Sequence, residues 1–379
     1  MGTARYAIEP SVLEWAIRRS GADLSRKFPE IADWQSRKSE PTLRQMEEFA
    51  RAAAVPLGYL FLATPPEEPL PIPYFRTKNG RQTGTFSPGL RETVYSMQRR
   101  QAWMREYLVD AGYEPLPFVH SASLASDPLA VARQMRTTLG MEMDWASRKG
   151  TWTEALRSLE DKAEDAGILV SVNSVVGNNT HRKLSVEEFR GFVLVDEYAP
   201  LIFINGADAK AAQMFTLAHE MAHIWLGQSA AFDLENLQPA PSGSEQISNR
   251  IAAEFLVPEE ALRALWPEAR RQDKPFEVVA SRFRVSEIVA VRRLLDLGLI
   301  DRSELMNFYE LYQWTERKGP KGREGGIFYA TQAQRLSKGF ARAVAIAVRQ
   351  GDLGYQEAYR LTGLYGKTFE KFAGFALEG

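Results

Sequence analysis

The chain has 379 residues, of which 45% are hydrophobic and 25% are charged, and its formal net charge at pH 7 is −1. Such a length exceeds one ordinary domain, and the composition excludes a disordered or fibrous protein. The near-neutral charge argues against a protein whose whole surface binds polyanions.

Cysteine is absent, which excludes disulfides, thiolate metal sites and cysteine nucleophiles. A transition metal would need His, Asp or Glu, and the four histidines lie at positions 120, 181, 219 and 223. No apolar run reaches about eighteen residues, and Arg5, Glu9 and Glu14 fall where a signal peptide would be apolar. We therefore expect a cytoplasmic protein without membrane contact.

Residues 1–66 are predicted to form a helical module, because apolar residues at helical spacing follow Pro10 and recur after Pro41. The segment resembles the small helix-turn-helix repressor domain at Trp34, Pro41, Thr42, Gln45 and Met46.

Pro29 falls where the recognition helix of such a domain would have to continue. Two interpretations stay open, a DNA-binding module and a degenerate helical module that contacts protein.

Residues 67–150 are predicted to be a proline-rich linker, with five prolines within 63–74, followed by a helical connector. The connector includes a long helix over 88–112 and a helix over 128–139. We interpret the arginines of the first as a solvated face of a helix that packs on a neighbour, in preference to a nucleic-acid contact.

The segment 151–310 begins with a helix over 152–166 and three apolar runs typical of strands, at 167–172, 191–195 and 200–205. A buried helix over 212–226 follows. A small antiparallel or mixed sheet packed on this helix predicts a mostly helical α+β fold.

The helix over 212–226 carries a His-Glu-x-x-His motif at His219, Glu220 and His223. Two histidines four residues apart lie on one helical face, so that both imidazoles can bind one Zn²⁺ ion. Glu220 projects beside the metal, where its carboxylate can take a proton from the attacking water. This pattern predicts a zinc metallo-endopeptidase.

A catalytic zinc site also needs a third protein ligand. The predicted helix over 243–257 places Glu245 and Asn249 on one face, so we favour Glu245 as ligand and Asn249 as a hydrogen-bond partner of a ligating histidine. Glu254 is the alternative ligand, although it points away from Glu245 and is expected to be a solvent-facing partner of Arg250.

Residues 155–310 resemble the ImmA/IrrE family of metallo-endopeptidases in the run from Phe215 to His223 and in the run from Glu245 to Pro258. The chain departs from the family pattern at Ser248, where alanine is usual. The resemblance implies a gluzincin-like minimal peptidase with His219, His223 and Glu245 as zinc ligands and Glu220 as the base.

The resemblance further implies a substrate that is a helix-turn-helix repressor or an antitoxin-like regulator. Cleavage would relieve repression in a stress, phage-defence or mobile-element response. DNA is a possible regulator of the activity.

Peptide hydrolysis by zinc also needs a donor that stabilises the oxyanion, for which His181, Arg190 and Tyr198 are candidates. An extended substrate could pair with the strand over 191–195 or with the strand over 200–204.

Residues 276–300 are predicted to form a helix, a tight turn and a second helix. Arg284, Arg292 and Arg293 would suit phosphate contacts, yet a packed helical pair is equally compatible with the pattern. The segment 311–379 is predicted to be a helical domain, with a loop over 315–326 and helices over 333–350 and 353–375.

Three classes of function stay open from the sequence. The first is a protease that cuts a regulator, the second is a DNA-binding transcriptional regulator or antitoxin, and the third is an interaction scaffold.

Overall fold

The computed structural model describes residues 4–20, 23–66, 86–228, 230–232, 243–314 and 328–378. It divides the chain into two units, with the boundary between Tyr95 and Ser96. Among the described helices, none combines the length and the apolarity that crossing a bilayer requires. The domain limits at residues 66, 150 and 310 stay predictions.

The first unit contains three helices, α1 (Pro10–Ser20), α2 (Ile31–Gln35) and α3 (Leu43–Ala53), and a 3-10 turn at Leu57–Phe61. Helix α3 begins with a reciprocal cap, because the Thr42 side chain accepts from the Gln45 backbone while the Gln45 side chain accepts from the Thr42 backbone. Helix α2 has five residues and starts after Pro29. The described residues around this proline therefore lack the long helix that reads a DNA groove.

Helix α4 (Pro88–Asp110) crosses the boundary between the units. Of its four arginines, Arg99 and Arg105 are exposed and Arg91 and Arg100 are buried, so the solvated face that we expected is formed only in part. Arg100 is buried and donates hydrogen bonds to the carbonyl oxygens of Leu361 at 3.0 Å and Arg335 at 3.2 Å, and Arg105 pairs with Asp196 at 2.8 Å. Most of the predicted linker before it, residues 67–85, lies outside the described residues.

The second unit contains the predicted α+β domain. Two helices, α5 (Pro128–Thr138) and α6 (Trp152–Asp165), precede its strands. The strands are β1 (Leu169–Asn173), β2 (Val175–Val176), β3 (Asn179–Lys183), β4 (Gly191–Leu194) and β5 (Leu201–Asn205). Helix α7 (Lys210–Leu226), strand β6 (Ala230–Phe232) and helix α8 (Gly243–Leu256) follow.

The main sheet is mixed and has the strand order β1-β5-β4-β6, while β2 and β3 form a separate hairpin. β5 is parallel to β1, and β4 is antiparallel to both of its neighbours. The suggestion that β4 or β5 pairs with substrate is therefore wrong, because both strands are internal and their backbone groups are already paired.

Helix α7 lies against β4 and β5 and is buried on all sides from Gln213 to Leu226. An all-round apolar helix is typical of a domain interior. It ends at Gly227, whose φ of 69° provides the left-handed C-cap. Helix α8 packs against α7, and its Ala252 is fully buried.

Four helices continue from α8: α9 (Glu259–Ala269), α10 (Pro275–Phe283), α11 (Glu287–Asp296) and α12 (Arg302–Trp314). The predicted pair with its tight turn is α10 and α11. Arg284 donates to the Lys149 carbonyl at 2.6 and 3.0 Å, Arg292 pairs with Asp296, and Arg293 is buried. The three arginines are thus used in intramolecular contacts, which favours the packed pair over phosphate binding.

Each of the two long helices expected near the C-terminus is broken into two. The observed helices are α13 (Phe328–Leu336), α14 (Lys338–Gln350), α15 (Tyr355–Thr362) and α16 (Gly366–Glu378). Ser337 interrupts the first pair with a φ of 77°, and Gly363 ends α15 with a φ of 68°. The predicted loop over 315–326 lies outside the described residues.

Helix α13 lies against β1 and joins the C-terminal helices to the α+β domain. The Ser171 hydroxyl donates to the Arg335 carbonyl at 2.6 Å, and the Gln334 amide donates to the Glu160 carboxylate at 3.0 Å. The Gly339 amide donates to Glu164 at 2.8 Å. The buried Glu160 and the partly buried Glu164 of α6 therefore both lie at this junction.

Glu160 should make the stability of the protein depend on pH. Burial raises its pKa from 4.5 to about 7, so between these values the folded chain binds its proton more tightly than the unfolded chain. Stability then falls as pH rises through this window, by about 3 kcal/mol in total. Glu160→Gln keeps the acceptor for Gln334 without a charge and should raise the free energy of unfolding by about 2 kcal/mol near pH 8.

Urea unfolding of both proteins near pH 4 and near pH 8 measures this effect. We expect matching stabilities in acid and a more stable variant in base. Equal pH dependence in the two proteins would show that the Glu160 carboxyl does not titrate abnormally.

Candidate metal centre

Helix α7 presents His219, Glu220 and His223 in the interior of the second unit, and each is 0% exposed. The four-residue spacing sets the two imidazoles one helical turn apart, with 4.7 Å between ring centroids. Glu245, in the first turn of α8, is 4% exposed and faces both rings. Two adjacent helices therefore supply three potential ligands.

The donor atoms of these residues converge. The His219 and His223 Nε2 atoms are 3.0 Å apart, and each lies 3.2 Å from a carboxylate oxygen of Glu245. Four-coordinate zinc holds nitrogen and oxygen ligands at about 2.0–2.2 Å, which sets neighbouring ligands about 3.3–3.5 Å apart. The observed separations and the donor types fit a single small ion such as Zn²⁺.

Helix α8 also orients the histidine rings. Asn249 Oδ1 lies 3.0 Å from His219 Nδ1, and Ser248 Oγ lies 3.5 Å from His223 Nδ1. A proton on Nδ1 of His219, shared with the amide oxygen, leaves its Nε2 lone pair for a metal. Asn249 is thus placed for the supporting role that the sequence predicts.

Asn249→Ala should weaken zinc binding by about 10- to 100-fold, because His219 loses the partner that fixes its tautomer. Ser248→Ala removes a contact at the limit of hydrogen-bond length and should have a smaller effect. Zinc titration against a competing chelator compares the two variants. Equal affinities for Asn249→Ala and the unmodified protein would contradict the orienting role.

The charge states at this site suit a metal centre. Burial lowers the pKa of His219, against the opposing effect of Glu245, which favours the neutral imidazole that binds metals. Burial alone would raise the pKa of Glu245, but its contacts with the imidazoles of His219 and His223 outweigh burial and hold the pKa at about 2. Glu245 is therefore a carboxylate at neutral pH.

Glu220 is a buried carboxyl group whose two oxygens have no hydrogen-bond partner among the described residues. Burial, and then the charge of Glu245, raises its pKa well above 4.5. A buried polar group without a partner costs stability, so its retention calls for a functional explanation. A general base needs a reactive carboxyl that is not already occupied by other contacts.

Gly191, at the start of β4, leaves space for Glu220. A Cβ atom at this position would lie 2.6 Å from Thr216 Cγ2, 2.9 Å from the Phe203 carbonyl oxygen and 3.4 Å from Glu220 Oε1. The role of Gly191 could not be predicted from the sequence, because a glycine at the start of a strand has many explanations as long as the neighbouring helix is unknown.

Gly191→Ala should destabilise the protein by about 1–3 kcal/mol, because the new methyl group must displace backbone as well as side chain. It should also reduce the predicted peptide hydrolysis by shifting Glu220. Gly374→Ala in α16 is the matched control, since its Cβ meets nothing within 4 Å. Urea unfolding and activity assays test both variants, and a fully active and stable Gly191→Ala would contradict the tight packing.

Glu254, the alternative ligand, is part of a different structure, and its expected exposure is wrong. It is 5% exposed and forms a salt bridge with Arg293, while Arg136 Nη2 lies 4.0 Å from its other oxygen. Its carboxylate also accepts from the Glu259 backbone at 3.2 Å. Glu254 therefore neutralises the buried Arg136 and Arg293. The group of potential metal ligands contains Glu245 and not Glu254.

The three candidate oxyanion donors have other surroundings. His181 is exposed on β3, Arg190 pairs with Asp208 at 2.8 Å, and Tyr198 lies 5.1 Å beneath the guanidinium of Arg105. None of their described contacts involves the candidate ligands. Their proposed role gains no support from this arrangement.

Comparison with known families agrees with the position of the site. Residues 163–295 match the family model of the IrrE N-terminal-like domain, Peptidase M78, and residues 336–375 match a domain of unknown function, DUF8813. No curated protein matches the chain. Residues 163–295 are therefore similar to a metallopeptidase domain of the ImmA/IrrE type. His219, His223 and Glu245 all lie within this match.

Proposed function

We propose that the second unit is a zinc-dependent endopeptidase. His219, His223 and Glu245 would hold Zn²⁺, and Glu220 would act as the catalytic base. The observation that carries this proposal is the convergence of two imidazoles and one carboxylate beside a second, unpartnered carboxyl group. The match of residues 163–295 to a peptidase family supports it.

When bound, Zn²⁺ supplies Lewis acidity that polarises the scissile carbonyl and acidifies water. Glu220 accepts a proton from the attacking water and delivers it to the leaving amine. Its buried position favours the protonated form that the second transfer requires. Asn249 keeps His219 in the tautomer that presents Nε2 to the ion.

The position of β6 suggests how a substrate would bind. Gly191 of β4, which lies beside Glu220, pairs with Phe232 of β6. Among the described strands, β6 pairs on one side only, so its outer backbone edge can receive an extended peptide as an added strand. This edge replaces the internal strands considered from the sequence.

We propose that the substrate is a helix-turn-helix repressor or an antitoxin-like regulator. The support is the likeness of residues 163–295 to the IrrE N-terminal-like domain. Cutting such a protein would relieve repression of stress, phage-defence or mobile-element genes. The reaction would take place in the cytoplasm.

The test is to co-express the chain with regulators encoded beside its own gene and to compare fragments between the unmodified protein and Glu220→Gln. We expect one regulator to be cut at few positions by the unmodified protein alone. Intact regulators in both samples would contradict the proposed substrate class, and equal fragments would contradict the role of Glu220.

A second candidate function concerns the first unit. The reciprocal cap of α3 uses Thr42 and Gln45, which are two residues of the repressor-like pattern. The alternative to a peptidase is therefore a DNA-binding regulator. The short α2 favours protein contact instead. A salt-sensitive, sequence-selective gel shift that survives Glu220→Gln would establish the DNA-binding alternative.

A further inference from the structure

A cleft of about 470 Å³ opens between the β2–β3 hairpin and the C-terminal helices α13 and α16. This volume is within the range of small-molecule sites. Its lining comes from the hairpin, from α13 and from the turn between α15 and α16, and it includes none of the candidate zinc ligands. The cleft is therefore separate from the metal centre.

Arg335 is the one charged residue among the described residues that line this cleft. Its side chain is partly buried, which lowers its pKa, and no carboxylate in the described part of the chain pairs with it. Arg105 and Arg190, which are likewise partly exposed, each pair with an aspartate at 2.8 Å. The Arg335 guanidinium can thus offer its donors to a carboxylate or a phosphate.

Gln332, one turn before Arg335 on α13, adds a second unmet polar group. It is 3% exposed, it lines the cleft, and its Oε1 accepts no hydrogen bond from the described residues. Buried amide oxygens are rarely left without a donor, because the desolvation cost is then not recovered. Because Gln332 lines the cleft, a ligand with an N–H or O–H group would supply the missing donor once the amide turns towards it.

Two aromatic side chains line the cleft, and a hydrogen bond links its two sides. Tyr365 is 67% exposed and Phe328 is 50% exposed, which leaves flat apolar surface at the opening. Asn178 of the hairpin donates to the Gly363 carbonyl at 3.0 Å, which links the two sides. A planar ligand body would bury part of these aromatic surfaces.

We propose that this cleft binds a small planar organic anion. Its carboxylate or phosphate would pair with Arg335, its N–H or O–H group would donate to Gln332, and its ring would pack against Tyr365. The proposal is independent of the peptidase activity. Part of the lining, Gly363 to Tyr365 and Thr368, lies within the segment that matches a domain of unknown function, whereas Gln332 and Arg335 lie just before it.

Isothermal titration of the full chain with adenosine monophosphate and with 4-aminobenzoate tests the proposal. Both probes carry an anion, a planar ring and an amino group, and they separate phosphate from carboxylate recognition. Adenosine is the uncharged control. We expect saturable one-to-one binding of at least one anion and much weaker binding of adenosine.

Arg335→Gln and Gln332→Leu should each weaken this binding by about tenfold or more. Arg342→Gln, the same change at an exposed residue of α14, should leave it unaltered. Thermal unfolding checks the fold, and Gln332→Leu should not lower the midpoint because it removes an unpartnered polar group. The proposal is overturned if neither anion binds, if adenosine binds equally well, or if Arg335→Gln binds like the unmodified protein.

Discussion

Replacing Glu220 with glutamine is expected to reduce peptide hydrolysis by about 10³-fold or more while zinc stays bound. Glutamine has nearly the same shape but cannot take a proton from water. Because Glu220 lies outside the group of candidate ligands, the three donor atoms that hold the ion are unchanged. The fold should not suffer, since the change removes a buried carboxyl group that has no described partner.

Zinc content, cleavage rate and thermal unfolding of the purified variant measure these three expectations together. Glu187→Gln is the matched control, because it makes the same change at an exposed position and should be fully active. Activity of Glu220→Gln within tenfold of the unmodified protein would rule out the carboxylate as the base. Loss of zinc in this variant would instead identify Glu220 as a ligand.

Alanine substitutions at Glu245 and Glu254 should have opposite consequences. Glu245→Ala removes a ligand and should weaken zinc binding by about 10³-fold or more. Glu254→Ala leaves the buried guanidinium of Arg293 without its partner and should lower the free energy of unfolding by about 3–5 kcal/mol. The folded fraction of Glu254→Ala should bind zinc with nearly unchanged affinity, because its carboxylate lies outside the candidate ligand group.

Zinc titration against a chelator and urea unfolding, applied to both variants, separate these outcomes. The unfolding comparison is made without added zinc, so that ligand binding does not contribute to stability. If Glu254→Ala abolished zinc binding in the folded protein and Glu245→Ala left it intact, the two carboxylates would have to exchange roles.

The local parts of the site could be predicted because helical geometry determines them. One sequence run contains both histidines and Glu220, and the helical period places Glu245 and Asn249 on one face of the next helix. These relations follow from helical geometry and do not depend on contacts with other parts of the chain.

The surroundings of the site depend on contacts between distant segments. Glu254 is buried because Arg136 and Arg293 reach it from helices 118 and 39 residues away, and helical periodicity carries no information about such partners. Gly191 matters only because β4 lies against Thr216 of α7. Neither contact could be read from the sequence.

The fold was predicted in outline and differed where the backbone departs from local preference. The fully buried strands β1 and β5 were recognisable as apolar runs. Their parallel pairing was not predicted, because it joins two strands that β4 separates in the chain. The break at Ser337 was missed because a positive φ is uncommon for residues other than glycine.

The central claim is that His219, His223 and Glu245 bind one zinc ion. X-ray absorption spectroscopy at the zinc edge of the full chain, loaded with one equivalent of zinc, tests it most directly. We expect two imidazole nitrogens and carboxylate oxygen at about 2.0–2.2 Å. A spectrum without imidazole scattering, or one unchanged when both histidines are replaced, would contradict the claim.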